Sequence, residues 1–338
     1  MLERLGRLTR HTEGLLLLVI LLLGALLSVL SPYFLTLSNI VDLIESYSVT
    51  TVLALGVFVV LVAGGIDISF AATASVAQYV TAYVATAWGL PAVLCIPLGL
   101  LVGLALGCLN AALIYYLRVT SIIITIATMS VYFALLMWVT GGKSIYALPD
   151  WWATRVVLWQ TETANGDLVR ITLPFLIAAL AVLLTWLLMT RSAAGRQLTA
   201  MGGNAEAARR LGVNLAAMHF LAYGYLGLMA GVAGLLQAHR VGEAVPNAMY
   251  GNELNVLAAA VLGGASLMGG IGTVGGVLLG ILLLAMLQNG LNLLGVSPYF
   301  FQIVIGLVIL VSTSITGLSA RARLCRRALR IRLVMGFR

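Results

Sequence analysis

Charge is what this 338-residue chain has least of: 9% of its residues are Asp, Glu, Lys or Arg, against about 25% in a typical soluble domain. With 62% hydrophobic residues, that scarcity excludes a soluble globular fold, because no soluble core hides so many apolar runs of bilayer length. Acids are scarcer than bases, 11 against 19, for a net charge of +8. The bases stand in short loops and tails, which fits the positive-inside rule and not nucleic-acid binding. The three cysteines, Cys95, Cys108 and Cys325, lack redox or metal spacing and read as small packing residues. His11, His219 and His239 are scattered. Gly141-Gly142-Lys143-Ser144 has Met137 where a phosphate loop needs glycine. Gly264-Ala265-Ser266-Leu267-Met268 ends in Met where a nucleophile elbow needs glycine. No covalent chemistry, metal site or cofactor is expected in the chain itself.

What is present is apolar sequence in continuous runs rich in Leu, Ala and Gly, not the short alternating segments of a barrel. Ten segments stand out, at about 15–31, 43–63, 66–87, 91–117, 121–140, 172–190, 215–238, 252–264, 272–294 and 299–317. The first follows Arg4, Arg7 and Arg10 and ends in Ser31-Pro32-Tyr33 without a small-x-small cleavage site, so a retained first helix is expected. The fold class is therefore all-α, a polytopic membrane protein of about ten transmembrane helices. Let the N-terminus be cytoplasmic and each segment cross once. Every Lys and Arg except Lys143, Arg155, Arg170 and Arg240 then lies on the cytoplasmic side, and both termini are cytoplasmic. The layout is a cytoplasmic N-terminus at 1–14, a transmembrane domain at 15–317 and a basic cytoplasmic tail at 318–338. Within the domain, 191–214 is a cytoplasmic loop and 141–171 an outer one. Segment 252–264 is short for a crossing and is expected to be short or tilted. In the outer loop, Trp151, Trp152 and Trp159 read as interface anchors, or its mixed charges, Lys143, Asp150, Arg155, Glu162, Asp167 and Arg170, read as a dock for an external partner.

Glycines recur at helical spacing: Gly99, Gly103 and Gly107; Gly227 and Gly231; Gly272, Gly276 and Gly280. They predict close helix–helix approach. Segments two to five and seven to ten form two groups of four that start on opposite sides, which permits an inverted repeat. Two glycine-rich breaks interrupt the helices, AGGIDIS at 63–69 and LGGASLMGGIGTVGG at 262–276. Asp67, in the first, is an acid well inside the apolar sequence. Gly64 and Gly65 predict a helix break before it, which leaves its carboxylate to cap the next helix or to face the substrate path. Gly64, Gly65, Asp67, Ser69, Asn110, Thr125, Asn255, Asn289 and Gln302 are the candidate pathway and gate residues, with Gln288 a further neutral donor. A route lined by amides and hydroxyls suits an uncharged polyol better than an ion.

Four stretches then resemble one known family. AGGIDIS resembles the GGIDLS of the permease subunits of bacterial ABC importers for monosaccharides, the ribose/arabinose/xylose/galactose group. AAGRQLTAMGGNAEAARRLGV at 193–213 resembles that family's cytoplasmic signature through Gly195-Arg196, Gly203-Asn204, Ala207-Ala208 and Gly212. ELNVLAAAVLGGASLMGGIGT at 253–273 and QNGLNLLGVSPYFFQ at 288–302 also match. The chain departs from the family at Phe70-Ala71, Thr120, Thr125-Ile126-Ala127 and Asn255. The resemblance implies a type II importer permease in the bacterial inner membrane, with loop 141–171 periplasmic. It implies pairing with a second permease subunit, identical or not, and with a cytoplasmic ABC ATPase that binds ATP and Mg. A periplasmic sugar-binding protein completes the complex. It further implies that Gly203, Asn204, Glu206, Ala207, Ala208, Arg209, Arg210 and Gly212 form the coupling segment seated on the ATPase. Ala208→Arg is expected to leave the fold intact and to impair that seating. Within the same resemblance, an autoinducer-2, branched-chain amino-acid or nucleoside permease is an alternative. A stand-alone secondary transporter is the rival from another class.

Overall fold

The computed structural model describes residues 12–310 apart from 163–165, 167, 298, 305, 308 and 309. The basic tail, Arg4, Arg7, Arg10, His11, Cys325 and most of the tenth apolar segment lie outside the described residues.

The long apolar runs form helices because only a helix satisfies its own backbone in lipid. In chain order they are α1 (Thr12–Leu30), α2 (Leu37–Ser46), α3 (Ser48–Val62), α4 (Phe70–Ala87), α5 (Ala92–Leu117), α6 (Ser121–Thr140) and a single turn α7 (Asp150–Ala153). There follow α8 (Leu173–Trp186), α9 (Ala193–Gly203), α10 (Ala205–Arg210), α11 (Leu215–Val241), α12 (Glu253–Leu262) and α13 (Val274–Leu293). Among the described residues, six helices are long and apolar enough to cross a membrane, or seven if the bent pair α2–α3 is one span. The expected segment 43–63 is thus a helix pair that begins earlier, at Leu37, and bends by 46° at Tyr47. α4 is less apolar because Thr73, Ser75, Gln78 and Thr81 face protein and are buried. α12, at 10 residues, is the short segment expected from 252–264.

α3 sits at the centre, with every residue from Val52 to Val62 buried. Around it pack α8, α9, α11, α12 and α13, while α1, α5 and α6 keep much of their apolar surface outward, as lipid-facing helices do. The glycine spacings do what they predict. A methyl group at Gly103 would lie 2.3 Å from the Gly227 carbonyl oxygen, and one at Gly107 would lie 2.3 Å from that of Tyr223. α5 and α11 therefore run backbone against backbone. Gly276 and Gly280 do the same for α13 against Gly263 and Ala259. Gly227→Leu is expected to overpack this seam and to destabilise the protein by about 3 kcal/mol, read as a lowered unfolding temperature in detergent.

α3 and α12 end in the same kind of turn. After α3, Gly64 N–H bonds Leu61 O at 2.9 Å and Gly65 N–H bonds Val60 O at 3.0 Å; after α12, Gly264 N–H bonds Val261 O at 2.9 Å and Ala265 N–H bonds Ala260 O at 3.1 Å. Both turns put a glycine in the left-handed region, Gly64 at φ 87° and Gly264 at φ 91°, where only glycine sits without strain.

One element corrects the all-helical expectation. Within the loop 141–171, β1 (Val157–Glu162) pairs antiparallel with β2 (Leu168–Thr172). The tryptophans also divide. Trp159 on β1 is exposed, but Trp152 is buried, with its Nε1 donating to Leu235 O at 3.0 Å. Trp152 is a packing residue that pins the loop to α11, not an interface anchor. Thr172 Oγ1 donates to Glu45 Oε1 at 2.5 Å, so the hairpin lies at the Tyr47 end of α3.

Candidate functional site

The basic loop 191–214 is two helices, α9 and α10, held by side-chain caps. Ser192 Oγ accepts from Gly195 N–H at 3.0 Å. Asn204 Oδ1 accepts from Ala207 N–H at 3.0 Å. Asn214 Oδ1, at the head of α11, accepts from Ala217 N–H at 3.1 Å. Each cap satisfies an orphan donor at a helix start. α10 closes at Gly212, whose φ is 86°. Glu206 pairs with Arg209 at 3.0 Å and with Arg210 at 3.2 Å. The hydrogen bonds from Arg209 and then Arg210 hold its carboxyl below the ordinary carboxylate range. These pairs are present at neutral pH and are lost as pH falls through that lowered titration. They are exposed and contribute little.

Asn204, Ala205, Glu206, Ala207, Arg209, Arg210 and Leu211 are exposed, Leu211 at 83%. Ala208 is not; it is buried. That corrects the expectation for Ala208→Arg, which would unseat α10 before it reported on any partner. The exposed neighbour Ala207 is the usable position.

The end of α9 enters the bundle. A methyl group at Gly202 would sit 1.9 Å from Val62 O and 2.7 Å from Gly270 N. One at Gly269 would sit 2.7 Å from the Gly64 Cα, and one at Gly270 would sit 2.8 Å from the Gly203 Cα. Gly270 N–H itself bonds Val62 O at 2.9 Å. Three glycine stretches far apart in sequence thus meet backbone to backbone: the break after α3, the break after α12 and the end of α9. Side chains longer than hydrogen at these positions would hold the three segments apart.

Beside this junction Asp67 is 2% exposed. Its Oδ1 accepts from Ser69 N–H and from Ser69 Oγ, each at 2.7 Å. Its Oδ2 accepts from Asn110 Nδ2 at 3.3 Å, and Asn110 Nδ2 also donates to Ser69 Oγ at 2.7 Å. Tyr132 OH donates to Asn110 Oδ1 at 3.1 Å. Thr125 Oγ1 donates to Ile66 O at 3.3 Å, and Ile66 N–H donates to Ser121 Oγ at 3.0 Å. The residue at the head of α4 is Ser69, with no side-chain cap. Asp67 therefore binds the turn before α4 and ties it to α5, rather than capping α4 itself.

The candidate pathway residues fall into two groups. Gly64, Gly65, Asp67, Ser69, Asn110 and Thr125 gather at the basic-loop end. Asn255 and Asn289 line a cavity of about 370 Å³ at the opposite end of α3, about 22 Å away along a 15-residue helix. Gln302 is exposed, while its neighbour Phe301 lines that cavity. Sequence reasoning missed Asp42, Ser46, Tyr47, Thr50, Asn252 and Asn292, which also line it. The signal was there as helical spacing: Asp42 and Ser46, Asn252 and Asn255, and Asn289 and Asn292 are three or four residues apart and share a face. Asn39 and Asn289 exchange amide hydrogen bonds of 3.0 and 2.8 Å, and Tyr47 OH bonds Gln288 Oε1. These bonds tie α2 to α13 beside the cavity.

The family described as branched-chain amino acid transport system / permease component matches residues 39–313. The ribose import permease protein RbsC of Escherichia coli (strain K12) is 32% identical over 303 residues, covering 88% of this chain and 91% of that protein. RbsC of Bacillus subtilis (strain 168) is 34% identical over 291 residues, covering 86% and 88%. The D-allose transport system permease protein AlsC of Escherichia coli (strain K12) is 30% identical over 307 residues, covering 90% and 91%. No solved structure matches the chain.

Proposed function

Because the chain belongs to the family of branched-chain amino acid transport system / permease components, we propose that it is the membrane permease subunit of an ATP-driven importer whose cargo is a monosaccharide. The protein is a multi-pass membrane protein, and the bacterial inner membrane is its proposed location, with both termini cytoplasmic and ten crossings. Its proposed partners are a cytoplasmic ABC ATPase that binds ATP and Mg, a second permease subunit and a periplasmic sugar-binding protein. The relatives named for ribose and allose support a sugar over a branched-chain amino acid, and so does a cavity lined by amides and hydroxyls.

The observation that carries the mechanism is the glycine junction. α10 is exposed and capped, and the helix before it is packed by Gly202 directly on the breaks after α3 and α12. In this reading α10 seats on the ATPase, and movement of the ATPase displaces α9. The junction converts that displacement into a change at both breaks, and so into alternating access. The test is uptake of labelled ribose, allose and galactose by proteoliposomes holding the whole complex. ATP-dependent uptake that stops when the ATPase loses its Walker lysine is the expected result. Uptake driven by an ion gradient without ATP would instead establish a secondary transporter.

A further inference from the structure

The cavity at the Tyr47 end of α3 has a chemistry that the importer reading alone does not specify. Its polar lining is Asn252, Asn255, Asn289, Asn292 and Gln288, with hydroxyls from Ser46, Thr50 and Tyr47. Every amide offers both a donor and an acceptor, which is what a ring bearing several hydroxyls requires. Some of this capacity is used inside the chain: Asn289 pairs with Asn39, Gln288 accepts from Tyr47, and Asn255 reaches Asn252 at 3.4 Å. The side chain of Asn292 has no partner among the described residues, and it is exposed.

Among the described residues one charge lines the cavity, the carboxylate of Asp42, and no Lys or Arg does. The nearby described cations are already partnered: Arg155 lies 3.4 Å from Glu45, and Arg240 donates to Ser46 O at 3.1 Å. A solute carboxylate would be repelled by Asp42, whereas a hydroxyl donates to Asp42 in a charge-assisted bond. Two aromatic side chains, Tyr47 and Phe301, also line it, with Leu43, Val256 and Leu284, and an aromatic face attracts the C–H edges of a ring. A volume of about 370 Å³ falls at the small end of ligand pockets, which run from about 300 to 1,000 Å³.

We propose that this cavity is a binding station for a neutral polyhydroxylated ring, a monosaccharide in its cyclic form, held by Asp42, Asn252, Asn255 and Asn292 between Tyr47 and Phe301. The same chemistry disfavours an anionic solute, because its carboxylate meets Asp42 and no Lys or Arg among the described lining residues. The bend at Tyr47 shapes the station, since Ser46 and Tyr47 stand at the elbow and line the cavity together. This inference rests on the reading of the chain as a monosaccharide importer permease, but the two fail differently.

The reporter is Ser46→Cys, a near-isosteric change on the cavity lining, in the purified permease–ATPase complex. The introduced thiol is labelled with a maleimide in the presence of ribose, allose, galactose or leucine at millimolar concentration. At least one sugar is expected to slow labelling severalfold, and leucine is expected to leave the rate unchanged. In the same background, Asp42→Leu and Asn255→Leu are expected to raise the protecting sugar concentration about tenfold. Protection by leucine and not by sugar overturns the proposal. So does the absence of sugar protection while the wild-type complex imports the same sugar with ATP, an outcome that leaves the importer reading standing. Absence of ATP-driven import of any of the sugars, whatever the labelling, removes the importer reading instead.

Discussion

Asp67→Ala is expected to cost about 3–5 kcal/mol, because it strands buried donors rather than trimming a surface contact. Asp67 is 2% exposed, and it receives Ser69 N–H, Ser69 Oγ and Asn110 Nδ2. None of these can turn to water. Through Asn110 the loss reaches Tyr132, so α4, α5 and α6 loosen together. The unfolding temperature in detergent is expected to fall by roughly 10 °C. Asp67→Asn is expected to cost about 1–3 kcal/mol: one oxygen still serves Ser69, but the new amide presents a donor where Asn110 also presents one. These two variants separate the two readings of Asp67. A latch gives a large loss of stability in alanine and a partial loss in asparagine. A substrate contact gives wild-type unfolding temperatures with weakened sugar uptake.

Gly202→Val is expected to break the connection between loop and bundle. A methyl group there would lie 1.9 Å from Val62 O and 3.0 Å from the Ala63 carbonyl carbon. Neither contact is with a flexible side chain, so the backbone itself must separate, and the Gly270–Val62 hydrogen bond of 2.9 Å opens with it. Overpacking of this kind costs about 1–3 kcal/mol. Spent on the junction, that is a roughly 5–150-fold loss of sugar imported per ATP hydrolysed. α10 lies beyond the clash, so ATPase binding is expected to survive. Gly275→Ala is the control. A methyl group at Gly275 meets nothing within 4 Å, and uptake should remain at the wild-type level. Equal losses in both variants would mean that glycine content, not the junction, sets the effect.

The membrane class of the chain was legible from its scarcity of charge, and the glycine spacings announced the α5–α11 seam directly. Both glycine breaks were also visible, because Gly64-Gly65 and Gly263-Gly264 cannot continue a helix comfortably. Their meeting with Gly202 was not, since a glycine states that something comes close without saying what. The bend at Tyr47 was hidden in an apolar run with no Pro or Gly from 43 to 55. Its only mark is a cluster of hydroxyl side chains. Ser48 Oγ donates to Glu45 O at 2.7 Å and Thr51 Oγ1 to Tyr47 O at 2.8 Å, the back-bonding that bends helices. The hairpin did leave a signal. β-branched and aromatic residues flank Asn165-Gly166, a strong hairpin dipeptide, in a loop otherwise read for its charges and tryptophans. The candidate pathway list combined two clusters because residue chemistry reports polarity and not position along the membrane normal.

The most direct test of the central claim is Ala207→Arg, measured for ATPase binding, ATP hydrolysis and monosaccharide uptake in the same proteoliposomes. Ala207 is exposed on α10, and arginine is a good helix former, so the permease should fold, insert and keep its wild-type unfolding temperature. The expected result is ATPase binding weakened about tenfold or more, with uptake falling in step. Wild-type assembly together with wild-type uptake would contradict the assignment of α10 as the element on which the ATPase acts.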